Sequence, residues 1–446
     1  MANQAQGGAL ENFFHMSARG SSVGQEVRAG LTTFLAMAYI IAVNPSLLEA
    51  AGIPSGAAVT ATCIGAGIMT ILMGLFANRP LACASGMGIN AVVAFTLTGL
   101  CDGDWHAAMA VIFIEGIAIL ILVLCGLREA IMDAIPASQR HAIAAGLGLF
   151  ICLIGLINGS IVVNDDSTLI TMGALSDPNY IVAMIAIFST FVLYCMNVPG
   201  EILIGIVIAV IVGIPLGVTA TPTGIVSSLD FSTFGAPFLT DESGVMGIAK
   251  VVASPVLLMF VFSLMMSDFF DTMGTAFAVA KQGDFLTADG KVEDIRPILI
   301  VDSCAAAVGG LVGASSITTF VESASGAADG GRTGLTSITT GVLFVLAAFF
   351  APLIAVVSSP ATTGALVLVG FLMMDQVQDI DWNSKLDGLP AFITLAGIPL
   401  TYSISTGIGL GFITYVVVAC ATGNAKKVKP LMWVAAVAFL VSFLIS

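Results

Sequence analysis

The sequence predicts an all-α polytopic membrane protein of about 14 transmembrane segments, arranged as two inverted halves. Three observations carry that reading. Of 446 residues, 58% are hydrophobic and 9% charged, with a mean hydropathy of +1.05, whereas soluble domains carry about 25% charged residues. Apolar runs near the ~20 residues that cross a bilayer recur along the chain. Between them, Lys and Arg collect in alternate loops. The net charge of −14 comes mostly from acids in loops and points to no nucleic-acid partner.

Residues 1–26 are polar, lack a signal-like apolar run, and read as a cytoplasmic N-terminus. Segments follow at 27–50, 57–77, 81–98, 106–127, 140–158, 180–197 and 200–217. A polar loop, 218–248, leads to 250–280, 296–313, 317–331, 336–357, 361–375, 388–404 and 405–421. A last apolar stretch, 430–446, is open to spanning, packing or lying at the interface. With the N-terminus inside, inner loops hold Arg19, Arg28, Arg79, Arg128, Arg140, Lys281, Lys291, Arg296, Arg332, Lys385, Lys426, Lys427 and Lys429. Outer loops hold Asp102, Asp104, Asp165, Asp166, Asp230 and Asp241, with Lys250 the one outer cation. That asymmetry follows the positive-inside rule. An odd number of segments before the polar loop places the two halves in opposite orientation.

The chain is organised around Gly313–Gly334, a run of small residues, hydroxyls, one glutamate and paired glycines. Such a stretch cannot face lipid. Ser315, Ser316, Thr318 and Thr319 favour extended or capped backbone, and Ser323 or Ser325 stands near the cap of a short helix. We read a strand-like entry followed by a half-helix, tolerated at membrane depth only where it is buried in protein or lines a cavity. Glu322 falls at the break, where a carboxylate marks function. The third segment matches it, being short, rich in small residues, and carrying one polar side chain, Asn90. Paired interrupted segments in corresponding places of two halves point to a transporter's binding site. Gly65, Gly67 and Gly74 need only close helix packing.

In the eighth segment Asp268, Asp271 and Thr275 share one helix face. Two carboxylates there are costly unless paired, protonated or hydrated, so the pair is a candidate for substrate and proton binding. Glu115 and Asp302 read as structural partners within the helical core, and an Asp329–Arg332 pair would fasten the end of the half-helix. Eight cysteines and three histidines show no metal spacing. No metal, cofactor or enzyme chemistry is expected.

Three stretches carry a family resemblance: SGMGINA (Ser85–Ala91), DFFDTMGT (Asp268–Thr275) and VESASGAADGGRTGLTS (Val321–Ser337). They resemble the AzgA-type purine permeases, of the wider nucleobase–ascorbate and xanthine–uracil permease group. One departure is Ala82-Cys83-Ala84, where such permeases often carry a Pro-Gly pairing. The resemblance implies a seven-plus-seven inverted repeat with short strands in segments three and ten. It implies a core domain at 27–127 and 248–357 and a gate domain at 134–217 and 358–446. It further implies a multi-pass protein of the inner or plasma membrane that imports adenine, guanine or hypoxanthine with a proton. Homodimers through the gate domain are implied for the wider group. Residue by residue, Glu322, Asp268, Asp271 and Asn90 match binding positions, and Phe320 and Val321 fall where an aromatic face and a backbone amide are offered. Ser85 and Thr275 belong to the same motifs. Xanthine or uracil transport is the alternative; an anion transporter on this scaffold is disfavoured by the acids and the absence of a buried Lys or Arg at the site.

Overall fold

The computed structural model describes residues 9–126, 135–165, 167–198, 200–221, 224–226, 228–240, 244–287, 292–354 and 356–445. Arg128, Asp166, Asp241 and Lys291, which entered the charge asymmetry, lie outside these. Among the described residues, nine helical stretches are long and apolar enough to cross a membrane. Four shorter apolar helices accompany them.

After a short helix α1 (Ala9–Phe14), the Ser22 hydroxyl accepts from Gln25 N and starts α2 (Val23–Met37). A break at Ala38–Tyr39 separates it from α3 (Ile40–Ala50), and α4 (Ser55–Phe76) returns. Strand β1 (Cys83–Ser85) opens the third segment and passes into α5 (Met87–Leu100), wound as a π-turn over Val93–Leu97. Asp104 caps α6 (Trp105–Leu124) through His106 N. Next come α7 (Ala137–Asn158), a hairpin of β2 (Val162–Asp165) and β3 (Leu169–Met172), α8 (Pro178–Cys195) and α9 (Glu201–Gly213).

The second half begins with α10 (Gly247–Ala253) and α11 (Pro255–Gln282). Ser254 and Pro255 divide what the sequence reads as one segment, because a proline in the first turn starts a helix rather than continuing one. Then follow α12 (Ile295–Val312), β4 (Ile317–Thr319), α13 (Ser323–Ala328), α14 (Gly334–Ala347) and α15 (Ser359–Met373). The chain closes with α16 (Lys385–Leu400), α17 (Ile404–Ala421) and α18 (Pro430–Ile445). The boundary placed between 404 and 405 falls instead at Thr401–Ser403, where Ser403 caps α17 by accepting from Thr406 N.

The helices sort into two packed groups. In one, α4 lies on α14, α6 on α12, and α2 on α13 and α14. In the other, α7 lies on α15 and α16, α8 on α9 and α15, and α16 on α17. Small residues set the closest seams. A Cβ at Gly74 would stand 2.4 Å from Gly334 O, and one at Gly116 would stand 2.2 Å from Ala307 N, so these helices touch backbone to backbone. Outward faces carry apolar side chains such as Phe188, Val192 and Ile211.

An all-α expectation omits the β2–β3 hairpin. Its turn is built by Asp165, whose carboxylate accepts from the backbone and hydroxyls of Ser167 and Thr168. These bonds hold the exposed Asp165 carboxyl down to about 2. The flanking residues Val162, Val163, Ile170 and Thr171 are β-branched and suit strands.

Candidate functional site

The two interrupted segments meet as one antiparallel pair, β1 against β4, with Cys83 opposite Thr319, Ala84 opposite Thr318 and Ser85 opposite Ile317. Strands this short need outside support. Thr70 of α4 supplies it to β1, with its hydroxyl donating to Cys83 O and accepting from Cys83 N, both at 2.9 Å. Asp302 of α12 supplies it to β4. Its Oδ1 accepts from Thr319 N at 2.9 Å and Thr318 Oγ1 at 3.0 Å, and Oδ2 accepts from Thr272 Oγ1 of α11 at 2.6 Å. One buried carboxylate thus ties β4 to the helix that carries Asp268 and Asp271.

The turn from β4 into α13 is clasped by a single residue. Ala82 O accepts from Phe320 N, and Ala82 N donates to Ser323 Oγ, both at 2.9 Å. Val321 and Glu322 are held between these anchors. Ser323 therefore does not cap α13 as expected; its hydroxyl is committed to Ala82, and Glu322 occupies the cap position without a side-chain cap bond. Glu322 is fixed instead by Tyr39, whose hydroxyl donates to Oε1 at 2.6 Å from the break between α2 and α3.

These parts surround a cleft of ≈ 100 Å³ that is partly open to solvent. Asp268, Asp271 and Thr275 line it from α11; Thr319, Phe320, Val321 and Glu322 line it from the tenth segment. Gly86, Met87, Gly88 and Ile89 enter from the third. The opposite wall, Leu147, Ile151, Val369 and Met373, comes from α7 and α15 of the other helix group. Phe320 is largely buried, whereas Val321 is 52% exposed.

Six of the eight residues singled out in the sequence thus share one cavity: Glu322, Asp268, Asp271, Thr275, Phe320 and Val321. Ser85 and Asn90 stand behind it, both fully buried, with Asn90 Nδ2 donating to Ser85 O at 3.4 Å. Asn90 folds back on its own strand. Sequence reasoning missed Tyr39; a lone tyrosine inside an apolar run carries no pattern that separates a site residue from core. Asp302 is the structural partner expected, but of hydroxyls and a backbone amide. The expected Asp329–Arg332 pair is replaced by another arrangement. Asp329 pairs with Arg28 of α2 at 2.9 Å, and Arg332 Nη1 donates to Ala327 O and Gly331 O at the end of α13.

Among the described residues one arginine, Arg79, is buried. Its Nη2 pairs with Glu293 at 2.9 Å, and its guanidinium lies 4.7 Å over the Phe285 ring, so it serves an ion pair rather than the cavity. Among the described residues no cluster of His, Cys, Asp and Glu is arranged to hold a metal ion. The cavity wall offers carboxylate acceptors, threonine hydroxyls, one aromatic face and aliphatic sides. That chemistry suits a small planar polar molecule with N–H donors.

Comparison with known proteins identifies the family of the chain. The Xan_ur_permease model, described as a permease family, matches residues 24–410. The guanine/hypoxanthine permease PbuG of Bacillus subtilis is 37% identical over 98% of this chain and 99% of its own. The adenine permease AdeQ of Escherichia coli is 35% identical over 99% and 97%. Among solved structures, the transmembrane domain of the cyanobacterial bicarbonate transporter BicA superposes with a TM-score of 0.62 at 15% identity, covering 86% of this chain and 97% of that one. At that identity the likeness speaks for the fold alone. The sequence relatives decide more: the chain belongs to the permease family, as a multi-pass membrane transporter and not an enzyme.

Proposed function

We propose that this protein is a proton-coupled symporter that imports purine nucleobases, among adenine, guanine and hypoxanthine, by alternating access. The observation that carries the reading is the meeting of Glu322 with Asp268 and Asp271 in one cavity at the joint of a strand and a half-helix. A purine is planar and neutral and presents N–H donors and ring-nitrogen acceptors. Carboxylate oxygens accept those N–H groups, a protonated carboxyl or Thr275 donates to a ring nitrogen, and Phe320 offers a ring for stacking, worth about 1–3 kcal/mol per base elsewhere. The named activities of PbuG and AdeQ support the same substrate class.

The same reading assigns 27–127 and 248–357 to a core domain that carries the site, and 134–217 and 358–446 to a gate. About 14 segments in an inverted repeat would let the core move against the gate around a fixed site. Across the seam between the two helix groups, Phe95 of α5 meets Tyr402 edge to face at 6.1 Å and the Ser46 and Ser359 hydroxyls lie 3.1 Å apart. Asp268 and Asp271 are the proposed proton carriers: a protonated carboxyl on one of them would donate to a ring nitrogen of the base, so that proton and purine bind together. We place the protein in the inner or plasma membrane with its N-terminus cytoplasmic, and a homodimer would form through the gate.

Uptake of radiolabelled adenine, guanine, hypoxanthine, xanthine and uracil in cells lacking their own permeases tests the proposal. Accumulation of a purine that a protonophore abolishes is the expected result. Transport of uracil or xanthine in place of these purines, or uptake driven by sodium, would overturn it.

A further inference from the structure

Tyr39 is 1% exposed, lies at the joint between α2 and α3, and shares the cavity wall with Glu322. Its hydroxyl hydrogen rests on Glu322 Oε1 at 2.6 Å. A carboxylate that receives two parallel N–H donors uses both of its oxygens. Here one oxygen already serves the phenol. Ala82 holds the Phe320 amide and the Ser323 hydroxyl on either side of Glu322, which fixes the turn that carries this carboxylate. We propose that Tyr39 sets specificity: its hydroxyl takes up an acceptor position on Glu322 Oε1, which makes that oxygen a weaker acceptor, so that the site gains chiefly from a single N–H of the base edge it reads. This deepens the purine reading of the preceding subsection and rests on it.

The consequence is chemical. Guanine presents its ring N1–H beside an exocyclic amino N–H, a parallel pair of donors, whereas hypoxanthine presents the ring N–H alone. A site whose second oxygen already accepts from the phenol gains little from the second donor. Unmodified protein therefore binds guanine and hypoxanthine with similar affinity. Tyr39→Phe removes the hydroxyl and keeps the ring, freeing Oε1 for the amino group. A hydrogen bond to a charged acceptor corresponds to about tenfold or more in affinity. Preference for guanine over hypoxanthine should rise about tenfold in Tyr39→Phe. In Tyr39→Phe/Glu322→Gln it should not rise, because an amide offers one acceptor and one donor to the same edge.

The test is competition of unlabelled guanine and hypoxanthine against radiolabelled hypoxanthine on the purified full chain. The ratio of the two affinities does not depend on how much of a variant folds, so a merely structural role for Tyr39 would leave it unmoved. A ratio in Tyr39→Phe within twofold of wild type overturns the inference. So does a wild type that already prefers guanine more than tenfold, which needs no variant to measure. A wild type that binds both bases equally but gains no preference on substitution leaves the purine reading standing. One that binds neither base overturns the inference and leaves the purine reading to be decided with adenine.

Discussion

Asp302 is the residue whose loss the geometry prices most directly. It is fully buried and accepts from Thr319 N, Thr318 Oγ1 and Thr272 Oγ1 at 2.9, 3.0 and 2.6 Å. Asp302→Asn keeps the shape and one oxygen toward β4 but turns an amino group toward the Thr272 hydroxyl, which must rotate to accept. Hydrogen bonds to charged groups contribute about 1.5–3 kcal/mol against about 1 kcal/mol for neutral ones. Part of that loss is offset, since a buried carboxylate carries a desolvation cost that an amide avoids. The net expectation is a loss of about 1–3 kcal/mol for Asn. For Asp302→Leu the loss is larger, because it leaves three buried donors without their acceptor. The damage should localise to the strand pair. Cys83 on β1 is fully buried opposite Thr319, so its alkylation, followed by mass spectrometry during a thermal ramp, reports the opening of β1 from β4. In Asp302→Leu, Cys83 should become reactive well below the wild-type temperature, with purine binding lost in parallel. Wild-type Cys83 protection and wild-type melting in Asp302→Leu would refute the reasoning.

Three further outcomes are expected. Gly309→Ala should abolish binding while the protein still inserts, since its Cβ would stand 2.0 Å from Ser315 O and 2.7 Å from Ile317 N and push β4 out of place; normal affinity would contradict that. Asp268→Asn and Asp271→Asn should separate binding from accumulation: whichever carries the proton still exchanges purine but no longer concentrates it when the outside is acidified. Wild-type behaviour of both variants in both assays would remove the pair from the mechanism. At the N-terminal end of α6, burial raises the Asp104 carboxyl, but hydrogen bonds from the Lys250 ammonium and from His106 outweigh it and hold it below its ordinary value. A carboxyl lowered by folding adds stability above its unfolded value, lost as the pH falls through the folded one. Wild-type melting temperature should therefore fall in acid below about pH 4 more steeply than that of Asp104→Asn, and parallel curves would contradict this.

Much of the architecture was legible because the bilayer imposes a coarse code. Length and apolarity mark spans, and anything polar and small inside a span stands out. That is how the stretch around Ile317–Thr319 reveals itself as irregular backbone and how Glu322, Asp268 and Asp271 stand out as candidates, whereas the strand at Cys83–Ser85 followed only from the family resemblance. What stayed hidden depends on pairing at a distance. Ala82 has no side-chain chemistry, yet its two backbone groups clasp the Glu322 turn. Tyr39 reads as core until its partner 283 residues away is known. Ser323 reads as a helix cap, because local rules cannot see that a neighbouring strand claims its hydroxyl. Asn90 is polar and central but turns back to Ser85 O, a partner five residues earlier that residue type alone does not single out. The β2–β3 hairpin sits in a loop whose acids drew attention to charge, while its β-branched flanks carried the structural signal.

The central claim is that Glu322 is the orienting contact for a purine. Equilibrium binding of a radiolabelled purine to purified wild type and Glu322→Gln tests it most directly. The variant keeps the shape and one acceptor toward Tyr39 but loses the charge, and a lost hydrogen bond to a charged group corresponds to about 10- to 150-fold in affinity. The account predicts weakening in that range with normal membrane levels. Binding within twofold of wild type would place the substrate elsewhere and contradict it.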